Sequence, residues 1–213
     1  MLKVESLSVA IGPVPIVRGA CLEVSEREMC GLIGRNGAGK TTLMRALMGA
    51  IRATGSAEFH HLDLLRLPAH RRLAQGIGYM PEDRRLVPEF SAEENIRLPS
   101  WSLEMDGAQQ RLEWIYSLMP EIRKLRERRA LELSGGQQKM VALARALMAG
   151  RRMLLLDEPF EGLAPALARR IGEVLADLKA EGVSVLLAES NEVHVGDLLA
   201  RAYRIERGAV APV

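Results

Sequence analysis

GRNGAGKTT, Gly34 to Thr42, satisfies the pattern G-x-x-x-x-G-K-[ST] through Gly34, Gly39, Lys40 and Thr41. The apolar run EMCGLIG, 28–34, precedes it, and a segment with Leu43, Met44, Leu47 and Met48 at helical spacing follows. A strand, a glycine loop and a helix N-terminus in that order gather free N–H groups and partial positive charge at one point, which suits an anion. Glycine lets the backbone, from Gly34 through Asn36, Gly37, Ala38 and Gly39 to Thr42, wrap closely around a phosphate. Lys40 is then expected to reach the β- and γ-phosphates, and Thr41 to offer its hydroxyl to Mg²⁺.

Working outward, RRMLLLDEP, 151–159, reads as a buried strand ending in two acids. Asp157, at the strand's carboxyl end, is placed to hold Mg²⁺. Glu158, one residue on, is placed to orient or deprotonate an attacking water. After residue 140 the order is helix, strand MLLLD, helix APALARRIGEVLADLKAEG closed by Gly182, and strand VSVLLA. Alternating strands and helices predict a parallel sheet with right-handed crossovers. Residues 2–10 and 15–24 read as strands around the turn GPVP, and another strand is expected near 56–61.

The middle differs. Ser91 and Glu94 form a capping box, and a helix with Leu112, Ile115 and Met119 on one face runs from Asp106 until Pro120 stops it. EIRKLRERR follows, with five basic residues; it reads as a solvated helical face, or as a contact surface for a partner. The fold class expected is therefore α/β: a phosphate-loop NTPase core with a parallel sheet, an N-terminal antiparallel β subdomain and an inserted helical subdomain. The core is placed at 1–83 and 133–213, and the helical insertion at 84–132.

A second anion-ready loop lies in LELSGGQQK, 131–139, where Ser134, Gly135 and Gly136 precede a long helical pattern.

Composition narrows the class. The chain has 213 residues, 48% of them apolar, enough for a real core. A net charge of +2 makes no case for nucleic acid as a partner. No apolar run is long enough to span a bilayer, and MLKVESLSVA alternates too early for a signal peptide. A cytosolic chain that meets membrane only through partners is expected. Cys21 and Cys30 are expected to stay reduced and packed. His60, His61 and His70 form no ligand pattern and read as structural.

GRNGAGKTT, LSGGQQ and LLLDEP, in that order, resemble the ATP-binding cassette ATPases over almost the whole chain. LPAHRRLAQGIGYMPEDRRLVPEFSAEENI, RALMAG and DEPFEGLAP are similar to the ATPase subunits of branched-chain amino-acid importers, with urea and short-chain amide importers as close kin. The resemblance implies ATP and Mg²⁺ as cofactors and a head-to-tail pair with a second cassette subunit, identical or not. In such a pair Ser134, Gly135 and Gly136 would cap the γ-phosphate of the partner's ATP. Gln137 would support that loop or reach ribose. Transmembrane permease subunits, and through them a solute-binding protein, would be partners, with the chain at the cytoplasmic face of the membrane.

The chain departs from the family pattern at several points. Ile11 stands where an aromatic usually stacks on adenine, and no aromatic occurs before Phe59. Glu82 replaces the usual Gln near Mg²⁺ and water. Ser190, followed by Asn191, replaces the usual His at the γ-phosphate, and His194, one helical turn later, reads as an ordinary surface histidine, with substitution for that His as the lesser alternative. Arg27 replaces a turn glycine. The segment before LELSGG is shorter than usual, and the family generally carries a further stretch after RIERGAV, which together mark a divergent or trimmed member. These departures suggest slow hydrolysis by the chain alone and pairing with a non-identical cassette. A soluble cassette ATPase and a slow nucleotide-dependent clamp are the other readings.

Overall fold

The chain opens with a hairpin, β1 (Leu2–Ile11) and β2 (Val14–Val24), in a computed structural model that describes all 213 residues. The turn is tighter than GPVP: only Gly12 and Pro13 lie outside the strands, and Gly12 takes φ 58. β4 (Thr54–Phe59) ends earlier than the expected 56–61, because His60 and His61 take left-handed φ of 46° and 66° and reverse the chain into β5 (Leu62–Asp63). These strands form an antiparallel sheet in the order β2-β1-β4-β5. Cys21, expected to be packed, is exposed, since the alternation of β2 buries Ala20 and Leu22 on either side of it. Cys30 is buried, and burial pushes its thiol up to about 12.

The second sheet runs β10-β9-β3-β8-β7-β6. β3 (Met29–Ile33), β8 (Ser184–Glu189), β7 (Met153–Asp157) and β6 (Ile77–Met80) are parallel neighbours. β9 (Arg201–Glu206) adds in parallel beside β3, and β10 (Ala209–Pro212) pairs antiparallel with β9. Every residue of β3, β7 and β8 is buried, as continuous apolar runs require when both faces are covered. Successive residues serve opposite cores. Met153, Leu155, Leu186 and Ala188 pack with the β subdomain and α1 (Lys40–Leu47). Leu154, Leu156, Val185 and Leu187 pack with the helices on the other face.

Those helices are α3 (Ala92–Ser102), α4 (Ala108–Leu118), the one-turn α5 (Pro120–Arg123), α6 (Gly135–Ala149) and α7 (Pro165–Ala180). A short α2 (Ala69–Ala74) precedes β6. Ser91 caps α3 in a capping box with Glu94, at 3.1 and 2.7 Å. α4 starts after Gly107, whose φ is 70°, and not at Asp106. Pro120 ends α4 and also opens α5 as its first residue.

EIRKLRERR is not a continuous helical face. Past Arg123 it turns, because the carbonyls of Arg126 and Arg128 accept from Glu93 and Ala92 at 3.0 and 2.8 Å. Backbone claimed by the start of α3 is lost to an i→i+4 ladder. Its five basic residues are nonetheless exposed. Gly182 closes α7 as expected, at φ 76: Val183 N donates to Leu178 O and Gly182 N to Lys179 O, each at 3.0 Å. Arg27 takes the left-handed φ of 59° that its turn demands.

Candidate nucleotide-binding site

The loop between β3 and α1 folds as its glycines allow. Gly39 caps α1 at φ 113, and Gly37 sits at φ 79. A Cβ on Gly34 would stand 2.3 Å from the carbonyl oxygen of Ile205, so only glycine lets the loop pass β9 this closely. Lys40 is buried at the helix start and folds back over the loop. Its ammonium donates to Gly34 O at 2.5 Å and Arg35 O at 3.2 Å, and pairs with Glu158 Oε1 at 2.8 Å. All three of its donors are engaged. Asn36, Gly37, Gly39, Lys40, Thr41 and Thr42 line a cavity of about 350 Å³, with Ile11, Ile16, Glu82 and Glu158 completing it. Ala38 lies on the far side of the loop, in a larger cleft with Ser190 and Asn191.

Three oxygens converge beside α1. Thr41 Oγ1 lies 3.2 Å from Asp157 Oδ1 and 3.3 Å from Glu82 Oε2. Tyr79 of β6 donates its hydroxyl to Asp157 Oδ2 at 3.4 Å. Asp157 is fully buried at the end of β7. Burial pushes its carboxyl up to about 6, Thr41 pulls it back, and Glu82 and Glu158 push it further. A carboxylate so short of positive charge, beside a hydroxyl and a second carboxylate, is a donor set that fits Mg²⁺, a hard cation that takes oxygen ligands and keeps several waters. Thr41, Asp157 and Glu82 would hold it, and bound there it supplies positive charge against a triphosphate.

Glu158 takes a left-handed φ of 51°, a conformation costing about 1–3 kcal/mol in a residue with a side chain. The strained turn is tied to β8 by Glu158 N donating to Ala188 O at 2.9 Å. It brings the carboxylate under Ser190, whose Oγ lies 2.8 Å from Glu158 Oε1 and 2.8 Å from Asn36 Oδ1. The single hydroxyl proton of Ser190 can be donated to only one of these two acceptors at a time. His194 stays out of this cluster, exposed and stacked on Phe160 at 5.3 Å between ring centroids.

The second loop lies elsewhere. Ser134 caps α6: its Oγ accepts from Gln137 N at 3.3 Å, and Gln137 Oε1 accepts from Ser134 N at 2.9 Å. Gln137 thus braces the loop. Ser134 and Gly135 are exposed, while a Cβ on Gly136 would meet Leu167 Cδ2 at 2.2 Å. None of Ser134, Gly135 and Gly136 lines the cavity that holds Lys40 and Thr41. The chain's phosphate loop and its Ser-Gly-Gly loop therefore present separate surfaces. Sequence reading missed Tyr79 on the four-residue edge strand β6, and two buried charges, Glu189 and Lys139, whose contacts come from distant segments.

The family model described as ABC transporter matches residues 17–161. The chain is 36% identical, over 99% of its length and 91% of that protein, to the high-affinity branched-chain amino acid transport ATP-binding protein BraG of Pseudomonas aeruginosa. It is 33% identical to the lipopolysaccharide export system ATP-binding protein LptB of Acidithiobacillus ferridurans, over 99% of the chain and 88% of that protein. Among solved structures, the ADP conformation of MJ1267, an ATP-binding cassette of an ABC transporter, superposes with a TM-score of 0.84 at 27% identity, over 99% of this chain and 89% of that one. The dimeric cassette MJ0796 shares the fold at a TM-score of 0.87 and 23% identity, over 99% and 96% of the two chains.

Proposed function

The chain belongs to the ABC transporter family and is an ATPase, and on that premise we propose that it powers an importer of branched-chain or related amino acids as one of a head-to-tail pair of cassettes. The observation that carries the paired reading is the separation of the two loops: Lys40, Thr41 and Glu158 share one cavity, and the Ser134 turn lines none of it. In the pair, Ser134, Gly135 and Gly136 of one subunit cap the γ-phosphate of ATP held by Lys40's loop of the other. A helix N-terminus capped by a hydroxyl and flanked by glycines is suited to a terminal phosphate. Glu158 orients and deprotonates the attacking water. Loss of the terminal phosphate removes the bridging charge, the pair opens, and permease subunits at the cytoplasmic face of the membrane convert that opening into transport. A solute-binding protein outside the membrane joins through the permease.

The BraG relative, named for high-affinity branched-chain amino acid transport, favours that class of solute. The LptB relative, named for lipopolysaccharide export, favours a second reading as an exporter motor. Reconstitution with the neighbouring permease genes separates them: ATP-driven uptake of leucine into vesicles supports import, and its absence with intact ATPase supports the other. The paired reading is tested with Glu158→Gln. ATP should convert this variant, alone or mixed with its genomic neighbour cassette, from monomer to stable dimer in analytical ultracentrifugation; a variant that stays monomeric in both settings at saturating Mg-ATP overturns it. Ser190 in place of an imidazole further supports a slow chain that works beside a non-identical cassette. Fast hydrolysis by the purified chain alone contradicts that part.

A further inference from the structure

The segment Pro159–Ala164 carries Glu158 at one end and α7 at the other. Its backbone is held at two consecutive residues by two buried charged side chains to which the mechanism above gives no part. Phe160 N donates to Glu189 Oε1 at 3.1 Å, and Lys139 Nζ donates to Glu161 O at 2.5 Å. Glu189 is 6% exposed and Lys139 5%. The two make no direct ion pair; each grips the loop instead, one at a backbone N–H and the other at the next carbonyl.

Each anchor also belongs to a functional element. Glu189 is the last residue of β8, immediately before Ser190, and its carbonyl accepts from Gly34 N at 3.0 Å, so it touches the phosphate loop as well. Lys139 lies one turn along α6 from Gly135, in the helix whose first turn carries Ser134 and Gly136. Gly136 packs against Leu167, just beyond the same loop.

Burying these charges is costly, and the directions agree. Burial pushes Glu189 up to about 7, with Glu158 pushing it further and Phe160 N, Lys139 and Ser190 N opposing. Burial pushes Lys139 down, while Glu161, Glu189 and Glu158 hold it up against Arg84. A neutral donor and acceptor would satisfy the same two backbone groups at less desolvation cost. Charges kept in such a place act on geometry.

We propose that Glu189 and Lys139 are positioning residues that clamp the Pro159–Leu163 loop and lock the setting of Glu158 to the setting of helix α6, so that the two nucleotide sites of a pair are coupled through a single chain. This rests on the reading that the first turn of α6 serves the partner's nucleotide. When a triphosphate seats on Ser134, any shift of α6 is carried by Lys139 to Glu161 O. Glu189 holds the other side of the loop against Ser190 and the phosphate loop, so the shift is delivered to Glu158.

The test uses the full chain with Glu189→Gln, Lys139→Met, Lys139→Arg and the double variant Glu189→Gln with Lys139→Met. Steady-state hydrolysis is followed against ATP concentration. Assays at about pH 8.5 keep Glu189 ionised; Gln keeps an acceptor for Phe160 N but removes the charge, so a merely structural hydrogen bond survives it. The expected result is a loss of kcat of about tenfold to a hundredfold, as small misplacements of a reacting group cause, with KM little changed and the Hill coefficient for ATP falling toward one. Lys139→Arg recovers most of the rate. The double variant is no worse than the worse single, because both act through one loop. Normal kcat and cooperativity in folded Glu189→Gln, or additive losses, overturn the proposal; if Lys139→Met does not fold, Glu189→Gln decides. Failure of Glu158→Gln to dimerise with ATP, both alone and with the neighbouring cassette, sinks the paired reading itself. Normal dimerisation there, with undisturbed kcat in the Glu189 and Lys139 variants, sinks the clamp alone.

Discussion

Lys40 Nζ and Glu158 Oε1 stand 2.8 Å apart, and both side chains are buried. The cation proposed to meet the triphosphate and the carboxylate proposed to meet water are therefore one ion pair in this structure. Removing one partner of a buried pair leaves the other charge uncompensated, at about 3–5 kcal/mol. Lys40→Met should lose nucleotide binding and also lower the unfolding midpoint. Adding Glu158→Gln to Lys40→Met should restore most of the midpoint without restoring binding. Thermal unfolding beside a nucleotide-binding titration checks this; a midpoint that drops further in the double variant contradicts it.

Ser190 reaches the same carboxylate with a hydroxyl, 2.8 Å from Glu158 Oε1. A hydrogen bond to a charged group contributes about 1.5–3 kcal/mol, so Ser190→Ala should cut kcat by about tenfold to a hundredfold and leave KM for ATP nearly unchanged. Ser190→His, which supplies a longer side chain beside Glu158, should raise kcat above that of the natural chain. Phosphate release under saturating Mg-ATP measures both. A faster Ser190→Ala would show that the hydroxyl restrains Glu158.

What was legible in the sequence was local. The glycine loop, the strand end at Asp157 and Glu158, the caps at Ser91 and Ser134 and the stop at Gly182 each depend on neighbours within a few residues, and each element stands where spacing put it. The misses depend on distant partners. EIRKLRERR has a helical composition, but its carbonyls are taken by Ala92 and Glu93 from another segment. β6 is four residues long and is a strand because Ile77 to Met80 pair with Met153 to Leu156. Glu189 reads as an ordinary strand end until Phe160 is brought beneath it. Local pattern specifies elements; long-range hydrogen bonding decides where marginal segments and buried charges go.

Ile11, at the end of β1, is 55% exposed and lines the cavity with Lys40 and Thr41. The first aromatic in the chain, Phe59, is fully buried in the core and offers no surface for a base to stack on. An aliphatic side chain gives a base apolar contact without distinguishing its edge. ATP and GTP should therefore be bound and hydrolysed with constants within about fivefold of each other. Ile11→Tyr should tighten ATP by about 0.5–1.5 kcal/mol, the added value of an aromatic pair. Competition titrations with both nucleotides check this, and a strong natural preference for ATP would require a base contact from outside this cavity.

Glu189 gives the chain a pH dependence of definite sign. Its carboxyl is raised from an ordinary 4.5 to about 7, burial being the largest cause. Between those values the folded chain holds a proton that the unfolded chain has released. Stability from this group is therefore greatest below about pH 4.5, falls as pH rises to about 7, and is level above, with a total change of up to about 3 kcal/mol. In a chain of this size that is several degrees of midpoint. Glu189→Gln stays neutral throughout and keeps an acceptor for Phe160 N, so its midpoint should lack this component. The difference between the two midpoint curves, recorded from pH 5 to 8, removes other titrations such as that of Asp157. That difference should move in favour of the Gln variant as pH rises. A flat difference would mean that the charge on Lys139 offsets the burial of Glu189, and the clamp would then cost the fold nothing near neutral pH.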